Sequence, residues 1–156
     1  MFGIFKKKPL KIKSPVNGKV VTLDSVPDEV FATKLAGDGV AVIPQDGTFK
    51  APIDGIVSKI FDTNHAYIIT SDSGIEVMVH IGLETVSLNS QGFERQVNQG
   101  DSVKAGDVII EADLEYIKQN ATDTITPIVI PDDKSYKSID KFYGDKKSLE
   151  NIMEVK

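Results

Sequence analysis

His65-Ala66-Tyr67-Ile68-Ile69-Thr70-Ser71-Asp72-Ser73-Gly74-Ile75-Glu76-Val77-Met78-Val79-His80-Ile81 reads as a β-hairpin. Branched and aromatic residues fill both arms, and Ser71-Asp72-Ser73-Gly74 is a cluster of turn formers. A loop of even length pairs Ser71 with Gly74, or Thr70 with Ile75. Either register sets His65 directly across from His80, and these are the chain's only two histidines. Directly opposed β-carbons lie about 4.5–5.5 Å apart. Only an odd-length loop breaks this register. One face then carries Ala66, Ile68, Ile75, Val77 and Val79 and reads as core. The other carries the cross-strand pairs His65/His80, Tyr67/Met78 and Ile69/Glu76. Apolar groups around two titratable rings suit a surface that another protein covers.

Outward from the hairpin the pattern stays that of strands. Short Val- and Ile-rich runs are punctuated by Gly, Pro, Asp and Asn, which predicts an all-β fold, a compact antiparallel sandwich or barrel. Ser14-Pro15-Val16-Asn17-Gly18-Lys19-Val20 repeats in outline as Ala51-Pro52-Ile53-Asp54-Gly55-Ile56-Val57. This weak repeat predicts two related β units packed together. Helical turns are few: Asp113 is a candidate N-cap for 114–119, and 28–34 can form a turn or two. A strand is expected near the C-terminus, within a stretch, 131–156, that is otherwise hard to place.

The chain has 156 residues, the length of one domain, and no cysteine. Disulfides, thiolate chemistry and cysteine-held zinc are therefore excluded. A net charge of −5 argues against general nucleic-acid binding. Residues 1–13 read as an apolar and basic tail, with Lys6, Lys7, Lys8, Lys11 and Lys13 behind Met1-Phe2-Gly3-Ile4-Phe5. Such a tail can touch anionic lipid but is too short to span a bilayer. The expected domain is 14–156, and the expected location cytoplasmic.

Two imidazoles on one face leave several chemistries open. They can hold zinc, but structural sites take four ligands and catalytic ones three plus water. Glu76 or Glu84 would have to complete the set, or a partner would. They can instead carry a phosphoryl group, because a neutral imidazole is a good nucleophile near pH 7. Neighbouring rings resist double protonation, and the second ring can donate to phosphoryl oxygens. Thr63 is placed to bond that second ring and fix its tautomer. A zinc-dependent hydrolase and a non-catalytic binding module remain the competing readings.

Longer matches narrow the choice. Gly74-Ile75-Glu76-Val77-Met78-Val79-His80-Ile81-Gly82-Leu83-Glu84-Thr85-Val86 resembles the active-histidine signature of the glucose-type enzyme IIA of the bacterial phosphoenolpyruvate-dependent sugar phosphotransferase system. Pro27-Asp28-Glu29-Val30-Phe31-Ala32, Gly37-Asp38-Gly39, Ala51-Pro52-Ile53-Asp54-Gly55, Phe61-Asp62-Thr63-Asn64-His65-Ala66 and Gly92-Phe93 resemble that family in the same order. The resemblance runs from about residue 14 to 130.

It implies a phosphotransferase component with no required cofactor. His80 would accept a phosphoryl group at Nε2 from the phosphohistidine of the carrier HPr. It would then pass the group to a cysteine on the IIB domain of a membrane sugar transporter. His65 would stabilise the phosphoryl charge, and Thr63 would hydrogen-bond His65. Val30, Phe31, Phe61, Met78 and Val86 fall at the family's partner-docking apolar positions, and Asp28 and Glu84 at its acidic ones. Glu84 stands where many members have aspartate, and Met78 replaces a more usual aromatic or aliphatic residue.

Overall fold

The structure, a computed structural model, describes residues 8–156. Its elements follow in chain order: β1 (Leu10–Lys13), β2 (Gly18–Thr22), α1 (Glu29–Ala32), β3 (Asp38–Pro44), β4 (Thr48–Lys50), β5 (Gly55–Ile60), β6 (Ala66–Thr70), β7 (Glu76–His80), β8 (Phe93–Arg95), β9 (Ser102–Val103), β10 (Val108–Ala112), α2 (Leu114–Asn120), β11 (Thr126–Ile130), β12 (Ile139–Lys141), β13 (Gly144–Lys146) and β14 (Asn151–Val155). Asp28 caps α1 by accepting from the Val30 N–H, and Asp113 caps α2 by accepting from the Tyr116 N–H.

The strands form three antiparallel sheets, ordered β1-β14-β12, β4-β10-β8 and β13-β2-β3-β11-β7-β6-β5-β9. The all-β expectation holds, in its sandwich form: the described residues contain no closed barrel. Val40, Val42, Val77, Val79, Ile128 and Ile130 point into the main core between sheets. The opposite face of β3 and β11 is also covered. Ala41 and Val129 there pack with Leu23, Val26, Phe31, Leu83 and Ile125 in a second, smaller core. Every residue of β11 is therefore buried, as its unbroken apolar run requires.

Leu10–Lys13, read above as the end of a tail, pairs with β14 and buries Ile12. The strand expected near the C-terminus is thus β14, in which Met153 and Val155 share one face and Ile152 is buried on the other. The lipid contact expected of the tail concerns mainly residues 1–7, which lie outside the described residues.

The sequence repeat has a structural counterpart. The Lys13 N–H donates to the Pro52 carbonyl at 2.9 Å, and the Lys50 N–H donates to the Pro15 carbonyl at 2.8 Å. Asn17 Oδ1 accepts from the Ser148 N–H at 2.7 Å, and Asp54 Oδ1 accepts from the Ala105 N–H at 2.8 Å. The two units therefore bond each other reciprocally, each anchored by a matching turn residue.

The hairpin register departs from expectation. The Ser71 N–H donates to the Ile75 carbonyl and the Gly74 N–H to the Ser71 carbonyl, both at 2.9 Å. This leaves Asp72, Ser73 and Gly74 as a three-residue loop, with Gly74 at φ +88. The loop length is odd, so Ala66, not His65, pairs with His80. A one-residue slip exchanges the faces of one arm. Tyr67 and Ile69 join Val77 and Val79 in the core, while Ala66 and Ile68 share the outer face with Met78 and His80.

Candidate functional site

The two rings meet despite the shifted register. Strict alternation would put residue 65 on the face opposite His80, but β6 begins only at Ala66. The preceding residue, Asn64, has a left-handed backbone at φ 60, and the chain bends there. The His65 carbonyl accepts from the Ile81 N–H at 2.7 Å, which fixes the backbone against β7. The ring lies edge-on to that of His80, with centroids 4.9 Å apart and planes at 82°. The expected contact is present, reached through a bend rather than a cross-strand pair.

Each ring is held at Nδ1. That of His80 lies 2.8 Å from the Gly82 carbonyl. A carbonyl only accepts, so Nδ1 carries the proton and Nε2 keeps its lone pair. Gly82 is at φ +74, and a β-carbon there would stand 2.7 Å from both the Asp123 carbonyl and Thr85 Cγ2. Only glycine lets that carbonyl turn towards the imidazole at this close approach. Thr63 Oγ1 is 2.5 Å from His65 Nδ1. Thr63 sits in the turn after β5, so it reaches the ring around the bend, not by strand alternation.

Burial keeps both rings neutral. It pushes His65 down to about 4, with the neighbouring His80 adding to the effect. His80 is also lowered by burial, opposed by the Gly82 carbonyl and the Asp28 charge. Two neutral imidazoles, one with a free Nε2, suit nucleophilic chemistry at neutral pH.

The same shift predicts acid sensitivity. The unfolded chain binds the His65 proton near pH 6.5, the folded chain only near 4. Stability from this group is therefore intact above pH 6.5 and is lost as pH falls through 4. The full loss is at most about 3 kcal/mol. Urea unfolding at pH 7 and pH 4.5 checks it. His65→Gln is expected to lose less stability between the two pH values than the natural sequence does, and equal losses would refute the linkage.

Apolar groups surround the pair. Phe31 stacks at a tilt on His80 with centroids 5.0 Å apart, and Phe61 meets His65 edge-on at 5.4 Å. The candidates divide by exposure. Val30 and Val86 are open, at 49% and 55%, whereas Phe31 is 6% exposed and belongs to the smaller core. Phe61 and Met78 are half-buried. Glu84 has a left-handed backbone and accepts from Thr122 Oγ1 at 2.6 Å. Sequence reading missed Ile68, which the slipped register sets opposite Met78, and Leu35, 78% exposed just beyond α1. Exposure of this kind leaves no mark in the sequence, so Leu35 was not readable there. His65 itself is 4% exposed, so His80 is the ring that an incoming group can reach.

The described residues include no group of three or more His, Asp or Glu placed to hold a metal ion. The pair supplies two imidazoles, and zinc there would need a partner's ligands. No described helix is long and apolar enough to cross a membrane.

Comparisons with known proteins agree with this geometry. Residues 10–136 match the family model of the phosphoenolpyruvate-dependent sugar phosphotransferase system, EIIA 1. A glucose-specific EIIA component of Borreliella burgdorferi is 44% identical over 151 residues, covering 96% of this chain and 78% of the relative. An N-acetylglucosamine-specific EIICBA component of Klebsiella pneumoniae is 46% identical over 126 residues, and there the match spans 19% of the longer protein. The solved glucose permease IIA of Mycoplasma capricolum superposes with a TM-score of 0.91 at 35% identity, covering 99% of each chain. The likeness thus extends through β14, past the end of the family model. This chain belongs to the EIIA 1 family and is a phosphocarrier of the sugar phosphotransferase system.

Proposed function

We propose that His80 is the phosphoryl acceptor and His65 the ring that stabilises the transferred group. The observation that carries this is the Gly82 carbonyl on His80 Nδ1, which leaves Nε2 as the one free lone pair of the reachable ring. In uptake, Nε2 attacks phosphorus, the N–P bond of the donor phosphohistidine breaks, and the donor imidazole leaves with the electron pair. In delivery, a cysteine thiolate of the acceptor attacks phosphorus and the His80 N–P bond breaks, returning the neutral ring. Thr63 donates to His65 Nδ1, so that His65 Nε2–H points its proton at the phosphoryl oxygens. That donor acts where negative charge gathers.

HPr is the donor and the IIB domain of a membrane sugar transporter the acceptor. The exposed Val30 and Val86, with Phe61 and Met78, form the apolar rim on which both dock; Asp28 and Glu84 meet basic groups of those partners. Phe31 acts from beneath, setting the orientation of the His80 ring. A polypeptide with a permanent zinc centre is disfavoured, since two imidazoles leave the coordination incomplete.

Incubation with phospho-HPr, followed by mass spectrometry under conditions that preserve phosphohistidine, tests the reading. One added phosphoryl group on the peptide containing His80 is expected. A group located on any other residue would reject the assignment.

A further inference from the structure

The chain contains one arginine, Arg95, on β8. Its guanidinium has no carboxylate within 4.0 Å among the described residues, and all five ion pairs there use lysine. It bonds instead to the bend that carries His65. Nε donates to Asn64 Oδ1 at 2.7 Å, and Nη2 donates to the Phe61 carbonyl at 3.4 Å. The Asn64 N–H donates to the same Phe61 carbonyl at 2.8 Å. A second brace comes from the residues before β8: Asn64 Nδ2 donates to Ser90 Oγ at 3.4 Å, and Ser90 Oγ donates to the Asp62 carbonyl at 3.2 Å.

These bonds add to the turn's own backbone bonds, from the Asn64 N–H to the Phe61 carbonyl and from the Phe61 N–H to the Ala66 carbonyl at 3.0 Å. Asn64 is left-handed, and residues 61–64 are all at least partly exposed, so little burial fixes the turn. The bend is also what takes His65 off the strand alternation and against His80. Whatever holds Asn64 therefore holds the ring–ring contact and the reach of Thr63 to His65.

We infer that Arg95 is a positioning residue for phosphoryl transfer, its two-pronged grip on Asn64 and the Phe61 carbonyl fixing the His65 ring beside His80. The inference rests on the assignment of His80 as acceptor and His65 as stabiliser. A lysine offers a point charge in place of the planar fork and cannot hold both acceptors in one geometry.

The test uses the full chain with Arg95→Gln and Arg95→Lys. Each protein is loaded by phospho-HPr, and transfer to an isolated IIB domain is timed. Both variants are expected to deliver about tenfold more slowly. Arg95→Gln added to His65→Ala is expected to cause no further slowing, because the two changes remove one function. The ¹⁵N resonances of the His65 imidazole are expected to shift in Arg95→Gln, while those of His80 stay in place. Unchanged delivery, or losses that multiply in the double variant, would overturn the inference. Unchanged His65 resonances would overturn it whichever residue carries the phosphoryl group. Persistent labelling of His80→Ala would instead reject the acceptor assignment, so the two failures are distinguishable.

Discussion

His80→Ala is expected to take up no phosphoryl group from phospho-HPr, a loss of at least about a thousandfold in labelling rate. Nucleophile removal has effects of that size or larger, because no neighbouring group replaces the lost bond-forming atom. The obvious substitute is His65, 4.9 Å away between centroids. It cannot serve from where it stands. The residue is 4% exposed, its Nδ1 is engaged by Thr63, and in the proposed tautomer its Nε2 carries a proton in place of a free lone pair. Removing the His80 ring also uncovers one side of Phe31, so thermal unfolding must accompany the assay. A folded His80→Ala protein without label supports the assignment; a folded one that labels at the natural rate refutes it.

Much of this site is legible in the sequence, and the reasons are physical. Only two histidines exist, and both lie at the open end of one hairpin, so the sequence brings them near each other, although the contact itself depends on the bend at Asn64. Asp113 was readable as a cap because a side-chain oxygen before a short apolar pattern has one common use. The register was not readable. Ser71-Asp72-Ser73-Gly74 is compatible with loops of several lengths, and the Ser71 side chain settles the matter by accepting from the Ile75 N–H at 3.0 Å. No alternation pattern reports that bond. Tyr67 misled for a related reason. The even register set it on the outer face opposite Met78, yet the ring is wholly buried and the hydroxyl donates to the Lys50 carbonyl at 2.7 Å. A buried tyrosine with a satisfied hydroxyl looks, in sequence, like an exposed one.

The contribution of β1 was hidden for another reason. Leu10-Lys11-Ile12-Lys13 carries two lysines beside a basic run, and composition alone assigns it to the tail. Its lysines face outward while Ile12 enters the core, and the pairing with β14 joins positions more than a hundred residues apart, from Leu10↔Val155 to Lys13↔Asn151. Non-local pairing leaves no mark in a local window. The same limit concealed Arg95, whose bonds to Phe61 and Asn64 run from β8 to the turn between β5 and β6.

His65→Ala is expected to separate two measurements that His80→Ala abolishes together. The variant keeps the proposed nucleophile, and His80 Nδ1 is expected to stay on the Gly82 carbonyl with Nε2 free. Labelling by phospho-HPr, read at its end point, is therefore expected to reach one phosphoryl group per chain. Delivery to the IIB cysteine is expected to slow by about a hundredfold to a thousandfold, the usual cost of deleting a donor aimed at developing charge. In the proposed assignment the His65 ring would supply that donor from a site that resists protonation, since burial pushes its pKa down to about 4. A phosphoryl group on His80 reverses the balance. Its negative charge favours a protonated neighbour, so the His65 pKa is expected to rise on phosphorylation. The ring can then answer charge on the phosphoryl oxygens as it accumulates, and return to neutrality once the group has left. Single-turnover transfer from the labelled variant, alongside a pH titration of the His65 imidazole in the free and phosphorylated natural protein, tests both halves. Delivery at the natural rate, with a His65 pKa indifferent to phosphorylation, would mean that the second ring merely fills space.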